Sequence, residues 1–197
     1  IRYQVEQDLY TQLFREGDTR KSISIKGIYN KDNTSGTLSF NSPIAYKFQG
    51  VLLDGDAQRS WLDDYPIYRY ADCLLALATA KAFLGEDITQ EINEVRERAY
   101  GTTYFNEHRS EIAYPNGKDA TFYANNRFVG SDDNPIEAIL KERMREFLFE
   151  GKRWYDIRLM GNEYATKYSN ANSERLSWPT DENTLGENSA LNQTPGY

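Results

Sequence analysis

The single histidine, His108, lies between Glu107 and Arg109 in a polar stretch. As a general base it would need a nucleophile and an orienting partner, and no Gly-x-Ser-x-Gly or Cys/His pattern supplies them. A lone histidine in a loop is more often a surface residue than a base. Metal chemistry finds no better support: there is no His-Glu-x-x-His, and Cys73 is the only cysteine. Set in an apolar run, Cys73 reads as a buried, inert thiol. Asp54-Gly55-Asp56 and Asp132-Asp133 are acidic loop segments. The first hints at calcium, but the further oxygen ligands of a calcium loop do not follow it. The 30 acidic residues could furnish the paired carboxylates of a glycoside hydrolase, yet nothing marks out any two of them. The expectation is a protein with no catalytic centre, no metal and no cofactor.

Binding chemistry is better represented. The chain carries 15 Tyr and 9 Phe, and such rings give rigid contact surfaces. They concentrate in residues 101–134, a long connection without helical period: Tyr104, Phe105, Tyr114, Phe122, Tyr123 and Phe128. Long loops in compact domains are usually functional or carry structure of their own. Within it, IAYPNGKDATFY predicts a hairpin with arms 112–114 and 121–123 about a Pro-Asn-Gly turn. Successive strand residues face opposite ways, so Phe122 and Tyr123 cannot both pack inward. Tyr104, Phe105, Tyr114 and Tyr123 are therefore candidate ligand-binding rings, with Trp61 as a fifth on an extended segment. The plain alternative is that these rings cover the helices beneath.

The elements that would position them follow from periodicity. Val5, Leu9 and Leu13 recur every four residues, a short amphipathic helix over 2–14 that Gly17-Asp18 breaks. Alternation about Ile23 and Ile25 predicts a strand over 22–28, and 38–40 and 44–48 read as short extended pieces. Pro66 keeps 61–68 extended. YRYADCLLALATAKAFLG predicts the strongest helix, 70–84, stopped by Gly85. It is apolar on most sides, which implies burial all round. Ile88, Ile92, Val95 and Ala99 form one stripe of a second helix, 88–100, antiparallel to the first. Cys73, Leu74, Leu77, Ile92 and Val95 are the expected core of that pair. A third helix opens with Asn134 as cap, Pro135 in the first turn and Glu137 completing a capping box. Its face carries Ile136, Leu140, Met144, Phe147 and Leu148. Gly151 interrupts, and a short helix from Trp154 ends at Gly161. Beyond Asn162 the chain reads as polar loop, with an aromatic-anchored extended tail.

The third helix runs into ERMREFLFEGKRWYDIRLMG, where Glu142, Arg143, Glu146, Glu150, Arg153 and Asp156 alternate in charge at three- and four-residue spacing. One reading is a solvated face whose helix pairs contribute about 0.2–0.5 kcal/mol each. The other is a partly buried clamp at a helix corner, with Arg153 bonded to Glu150 or another carboxylate beside Trp154. Both are architectural.

YRYADCLLALATAKAF, INEVRERAYG, ILKERMREFLFEGKRWYDIRLMG and SWPTDENTL with terminal NQTPGY, in that order, closely resemble the C-terminal half of SusD/RagB family proteins. The likeness covers residues 68–197, and LYTQLFREGDTRKSI fits less strongly. Lys152 stands where the family often has His, Thr180-Asp181 replace Ile-Pro after Trp178-Pro179, and the 101–134 segment is longer than the family pattern. The resemblance implies a mainly α fold, SusD-like, with tetratricopeptide-like helix pairs, long irregular loops and short β-hairpins, the whole of 1–197 being one C-terminal domain. It implies non-enzymatic capture of an oligosaccharide (in some relatives a peptide) and its delivery to a SusC-like TonB-dependent transporter. It also implies a place on the extracellular face of the outer membrane of Bacteroidetes, with a lipid anchor outside this chain. A helical scaffold that docks on the transporter is the alternative.

Composition agrees with a globular, not a disordered, chain. Hydrophobic residues make up 39% and charged residues 27% of 197. The net charge of −7 repels phosphate backbones and argues against nucleic acid as a partner. No apolar run reaches the roughly 18 residues of a membrane span. The chain begins at Ile1 without Met, and is expected to be a piece of a longer lipoprotein whose N-terminal half is absent.

Overall fold

The computed structural model describes residues 4–48, 50–55, 60, 64–116 and 128–197. They fall into two compact units, Ile1–Arg153 and Trp154–Tyr197. The fold is mainly α, as expected from the sequence.

The first unit opens with α1 (Gln7–Gln12) and α2 (Arg20–Ser24), followed by β1 (Ile25–Lys31) and β2 (Leu38–Ala45), an antiparallel hairpin. Helix α1 is shorter than its pattern predicts, and the first half of the expected strand is α2. The hairpin turn is held by Asp32, whose carboxylate accepts from the Thr34 amide at 2.9 Å and the Ser35 amide at 2.6 Å. The inner half of the hairpin buries Ile25 and Ile44, and the outer half is exposed on both faces. Leu9, Leu13, Phe14, Ile25, Val129 and Leu148 form the core beneath.

Helices α3 (Tyr70–Leu84) and α4 (Thr89–Tyr100) pack together, and α3 also packs on α7 (Pro135–Glu146). Asp72 accepts from the Arg69 amide at 3.1 Å at the start of α3, and Gly85 ends it at φ 74°, a left-handed conformation that glycine adopts freely. Asn134 caps α7 as expected, accepting from the Ile136 amide at 2.8 Å.

The phase of α3 corrects the sequence reading. Ile92 and Val95 are buried, but Leu77 is 49% exposed, Cys73 is exposed and Leu74 half-buried. The inward face is instead Ala71, Asp72, Leu75, Ala78 and Thr79. A helix apolar on every side carries no signal of which side its neighbours take.

Residues 101–116 also depart from expectation. They form α5 (Thr102–Glu107) and α6 (Arg109–Ile112), so Ile112 closes a helix rather than entering a strand. The second arm of the expected hairpin lies outside the described residues. Phe149 (φ 66°) and Gly151 (φ 71°) turn the chain after α7 into α8 (Arg153–Leu159).

The second unit is less loop-like than its polar composition suggests. It contains α9 (Asn162–Lys167) and α10 (Glu182–Glu187). Its tail folds back on itself: Gln193 accepts from the Thr180 amide at 2.7 Å, and Arg175 donates to the Gly196 carbonyl at 2.6 Å. Trp178, expected to anchor the tail, is 86% exposed.

Candidate functional site

The charged motif resolves into a buried ion cluster. Glu142, Glu146 and Glu150 lie four residues apart and receive arginines from distant segments. Arg20 donates to Glu142 at 2.7 Å and to Glu146 at 3.2 Å, while holding Asp18 through two further bonds of 2.9 and 2.7 Å. Arg96 of α4 donates to Glu142 at 2.9 Å and grips Asp132 at 2.7 and 2.9 Å. Arg69, just ahead of α3, donates to Glu146 at 2.6 Å and to Glu150 at 2.8 and 3.1 Å. Lys47 pairs with Glu150, Arg98 with Glu146, and Lys141 with Asp132 at 2.6 Å. Burial pushes the Asp18, Asp132 and Glu146 carboxyls up, yet the guanidinium groups outweigh it and hold all three below their ordinary values. These carboxylates are committed to cations, not poised as acids or bases. Arg153 donates to the Leu140 carbonyl at 2.8 Å and the Phe128 carbonyl at 2.6 Å, and Glu150 is held by Arg69 and Lys47.

Of the five candidate rings, three are described. Phe105 is 1% exposed and sits in a cluster with Ala99, Tyr100 and Ile112. Tyr114 is 8% exposed, its backbone clamped by Asn93, whose side chain donates to the Tyr114 carbonyl at 2.8 Å and accepts from its amide at 2.7 Å. Tyr104 is half-buried, stacked between Tyr100 (centroids 6.0 Å) and His108 (4.0 Å). Its hydroxyl donates to the Glu16 carbonyl at 3.3 Å, and a Cβ at Gly17 (φ 83°) would clash with its ring carbons at 2.3 and 2.4 Å. The lone histidine is thus part of a stack, at the four-residue spacing Tyr100–Tyr104–His108. Trp61 and Tyr123 lie outside the described residues. Among the described residues, no group of three or more His, Cys, Asp or Glu gathers as a metal site, and no helix is long and apolar enough to cross a membrane.

Cavities open among the described residues of the first unit. One, of about 590 Å³, lies at the α1–α2 corner and is lined by Tyr10, Thr11, Arg15, Glu16, Lys21 and Ser22 among others. Another, of about 430 Å³, lies between the starts of α3 and the end of α4, lined by Arg69, Tyr70, Leu74, Glu94, Val95 and Arg98. It borders the outer side of α3, where Tyr70, Leu77, Phe83 and Leu84 are exposed. Beside the first cavity stands a ring cluster that the sequence reading missed. Tyr10 stacks on Phe40 (5.8 Å, 20°), and Phe40 meets Tyr29, its cross-strand partner, edge-on (5.5 Å, 76°). Tyr29 and Phe40 are 52% and 36% exposed.

With this architecture in view, comparison with known proteins gives its class. The profile of the SusD family matches residues 41–174, and the chain belongs to that family. Among solved structures it is similar to B. fragilis NanU, at 57% identity and TM-score 0.89, over 98% of this chain and 39% of that one. A SusD superfamily protein from Bacteroides vulgatus ATCC 8482 matches at 59% identity and TM-score 0.89, over 98% and 41% of the two chains. A SusD superfamily protein from Bacteroides fragilis NCTC 9343 matches at 28% identity and TM-score 0.69, over 98% and 40%. The chain therefore spans about 40% of the length of these solved relatives. A comparison with curated proteins found no match.

Proposed function

We infer that this chain is part of a non-enzymatic glycan-capture protein, held on the outer face of the outer membrane by a lipid anchor outside this chain, which passes oligosaccharide to a SusC-like TonB-dependent transporter. The observation that carries the reading is membership in a family whose members are in general carbohydrate-binding and associated with uptake, supported by a likeness at 57–59% identity along nearly the whole chain. The geometry agrees with it. The clustered carboxylates are neutralised by arginine, and exposed rings stand beside a solvent-open cavity, the surface that sugars use through C–H faces and hydroxyls. In this reading Tyr104 props the 15–18 turn that walls the cavity, while Phe105 and Tyr114 hold its supporting segment in place. The test is to screen the full-length protein against a printed oligosaccharide panel and a peptide panel side by side. Saturable binding to glycans is the expected result; binding to peptides alone overturns the reading.

The exposed apolar side of α3 favours a second role alongside the first. Tyr70, Leu77 and Leu84 follow helical spacing, a stripe suited to packing against another helix. That surface fits protein contact, whereas the hairpin rings fit a ligand.

A further inference from the structure

We propose that the outer face of the β1–β2 hairpin and the α1–α2 cavity form one glycan subsite, with Tyr29 and Phe40 as the stacking platform and the cavity receiving the adjoining pyranose. The proposal rests on the glycan-capture reading and names where this chain would meet the sugar.

Three observations converge. First, the rings gather where the two strands pair and α1 meets them. Tyr29 lies opposite Phe40, just past a shift of register after Ile28, and Gly27 lies two residues before Tyr29. A Cβ at Gly27 would stand 3.1 Å from the Tyr10 hydroxyl and 3.2 Å from ring carbons of both Phe40 and Tyr29. Three aromatic side chains thus close over the backbone at Gly27, and a methyl group there would ask each to give by a few tenths of an ångström. Second, the platform is open. Lys21 covers Tyr10 with its ammonium 4.6 Å from the ring centroid, and Phe40 stacks on Tyr10 at 5.8 Å. Tyr10 is therefore the joint between platform and cavity, and the surface left for a ligand belongs to Tyr29 and Phe40. Third, the cavity carries the groups a sugar needs. At about 590 Å³ it falls in the range of small-ligand sites. Its rim carries the hydroxyls of Thr11 and Ser22, which donate to the Gln7 and Thr19 carbonyls and keep lone pairs to accept, the cations Arg15, bonded to the Glu111 carbonyl, and Lys21, and the carboxylate of Glu16. Mixed donors and acceptors beside exposed rings match the alternating C–H and O–H faces of a pyranose chain. They match an aliphatic helix poorly, unlike the outer face of α3.

The experiment uses the full-length protein. A printed panel of oligosaccharides identifies the strongest-binding one, which then serves as the titrant for Tyr29→Ala, Phe40→Ala, Lys21→Ala and Tyr29→Phe, each checked for unchanged thermal unfolding. Loss of either ring is expected to weaken binding roughly five- to tenfold. Tyr29→Phe, which keeps the ring, should stay within about twofold of the parent, a split that a structural lesion would not give. If a ring variant unfolds early, Lys21→Ala, at the cavity rim, carries the test and is expected to bind more weakly. If the parent binds glycan and the folded variants bind as it does, the subsite is wrong while glycan capture stands. If the parent binds no glycan on the panel, both ideas fall.

Discussion

Neutralising Glu142 should cost far more stability than breaking an exposed helix pair would. Its carboxylate is fully buried and accepts from Arg20 at 2.7 Å and Arg96 at 2.9 Å, with Arg145 a further 3.7 Å away. In Glu142→Gln the shape is kept and the charge removed. The amide oxygen can still accept from one guanidinium, but its NH₂ then points at the other, which is also a donor. Arg20 keeps Asp18 and Arg96 keeps Asp132, so neither cation is stranded, but one loses its bond to residue 142 and the other keeps only a neutral acceptor, at a site shut off from solvent. Losing one charged hydrogen bond outright and weakening the other costs about 2–4 kcal/mol, a large part of a typical folding free energy of about 5–15 kcal/mol. The assay is urea unfolding of the full-length protein, parent against variant, with the change taken from the midpoint and the slope. The arginines come from residues 20 and 96, so the loss should also loosen the first unit as a whole. A change under about 0.5 kcal/mol, the size expected of an exposed helix pair, would refute the reasoning and return the motif to a solvated face.

Other expectations follow from the same geometry. Leu75→Ala, at a fully buried site, should destabilise by about 2–5 kcal/mol, whereas Leu77→Ala, half exposed, should fall well below that; denaturant midpoints measured in parallel check the order. Gly17→Ala forces a non-glycine residue to φ 83° against the Tyr104 ring and should lower the melting temperature and disturb the α1–α2 corner, visible as a change in tyrosine near-UV dichroism. For pH, the folded carboxyls of Asp18, Asp132 and Glu146 lie below the ordinary 3.8, 3.8 and 4.5 because arginines outweigh their burial. Their stabilisation is complete above those unfolded values and is lost as pH falls through the lower folded ones. Stability should thus hold steady downward to about pH 5 and decline below it, as acid titration monitored by dichroism would read.

Much of the architecture was legible in the sequence. The stripe Ile92–Val95–Ala99, the cap at Asn134 and the glycines at 85 and 151 each act through neighbours a few residues away, and they fell where their patterns put them. What failed was information that neighbours do not hold. Leu77 and Leu75 are the same residue type on an all-apolar helix, and only the positions of α4 and α7 decide which is inside. The spacing of Glu142, Glu146 and Glu150 was visible, but Arg20, Arg69 and Arg96, which give it meaning, lie between 46 and 122 residues away. Phe105 and Tyr114 were read as loop rings because residues 101–112 show too little periodicity to announce α5 and α6. The Tyr10–Tyr29–Phe40 cluster was missed because it joins three segments. The one available signal was the pairing of Tyr29 with Phe40 about the Asp32–Gly36 turn.

The most direct measurement is calorimetric titration of the full-length protein with the strongest-binding oligosaccharide from a printed panel. Saturable heat with one sugar chain bound per protein is the expected result. An absence of saturable heat for every glycan on the panel, from protein shown by dichroism to be folded, would contradict the account.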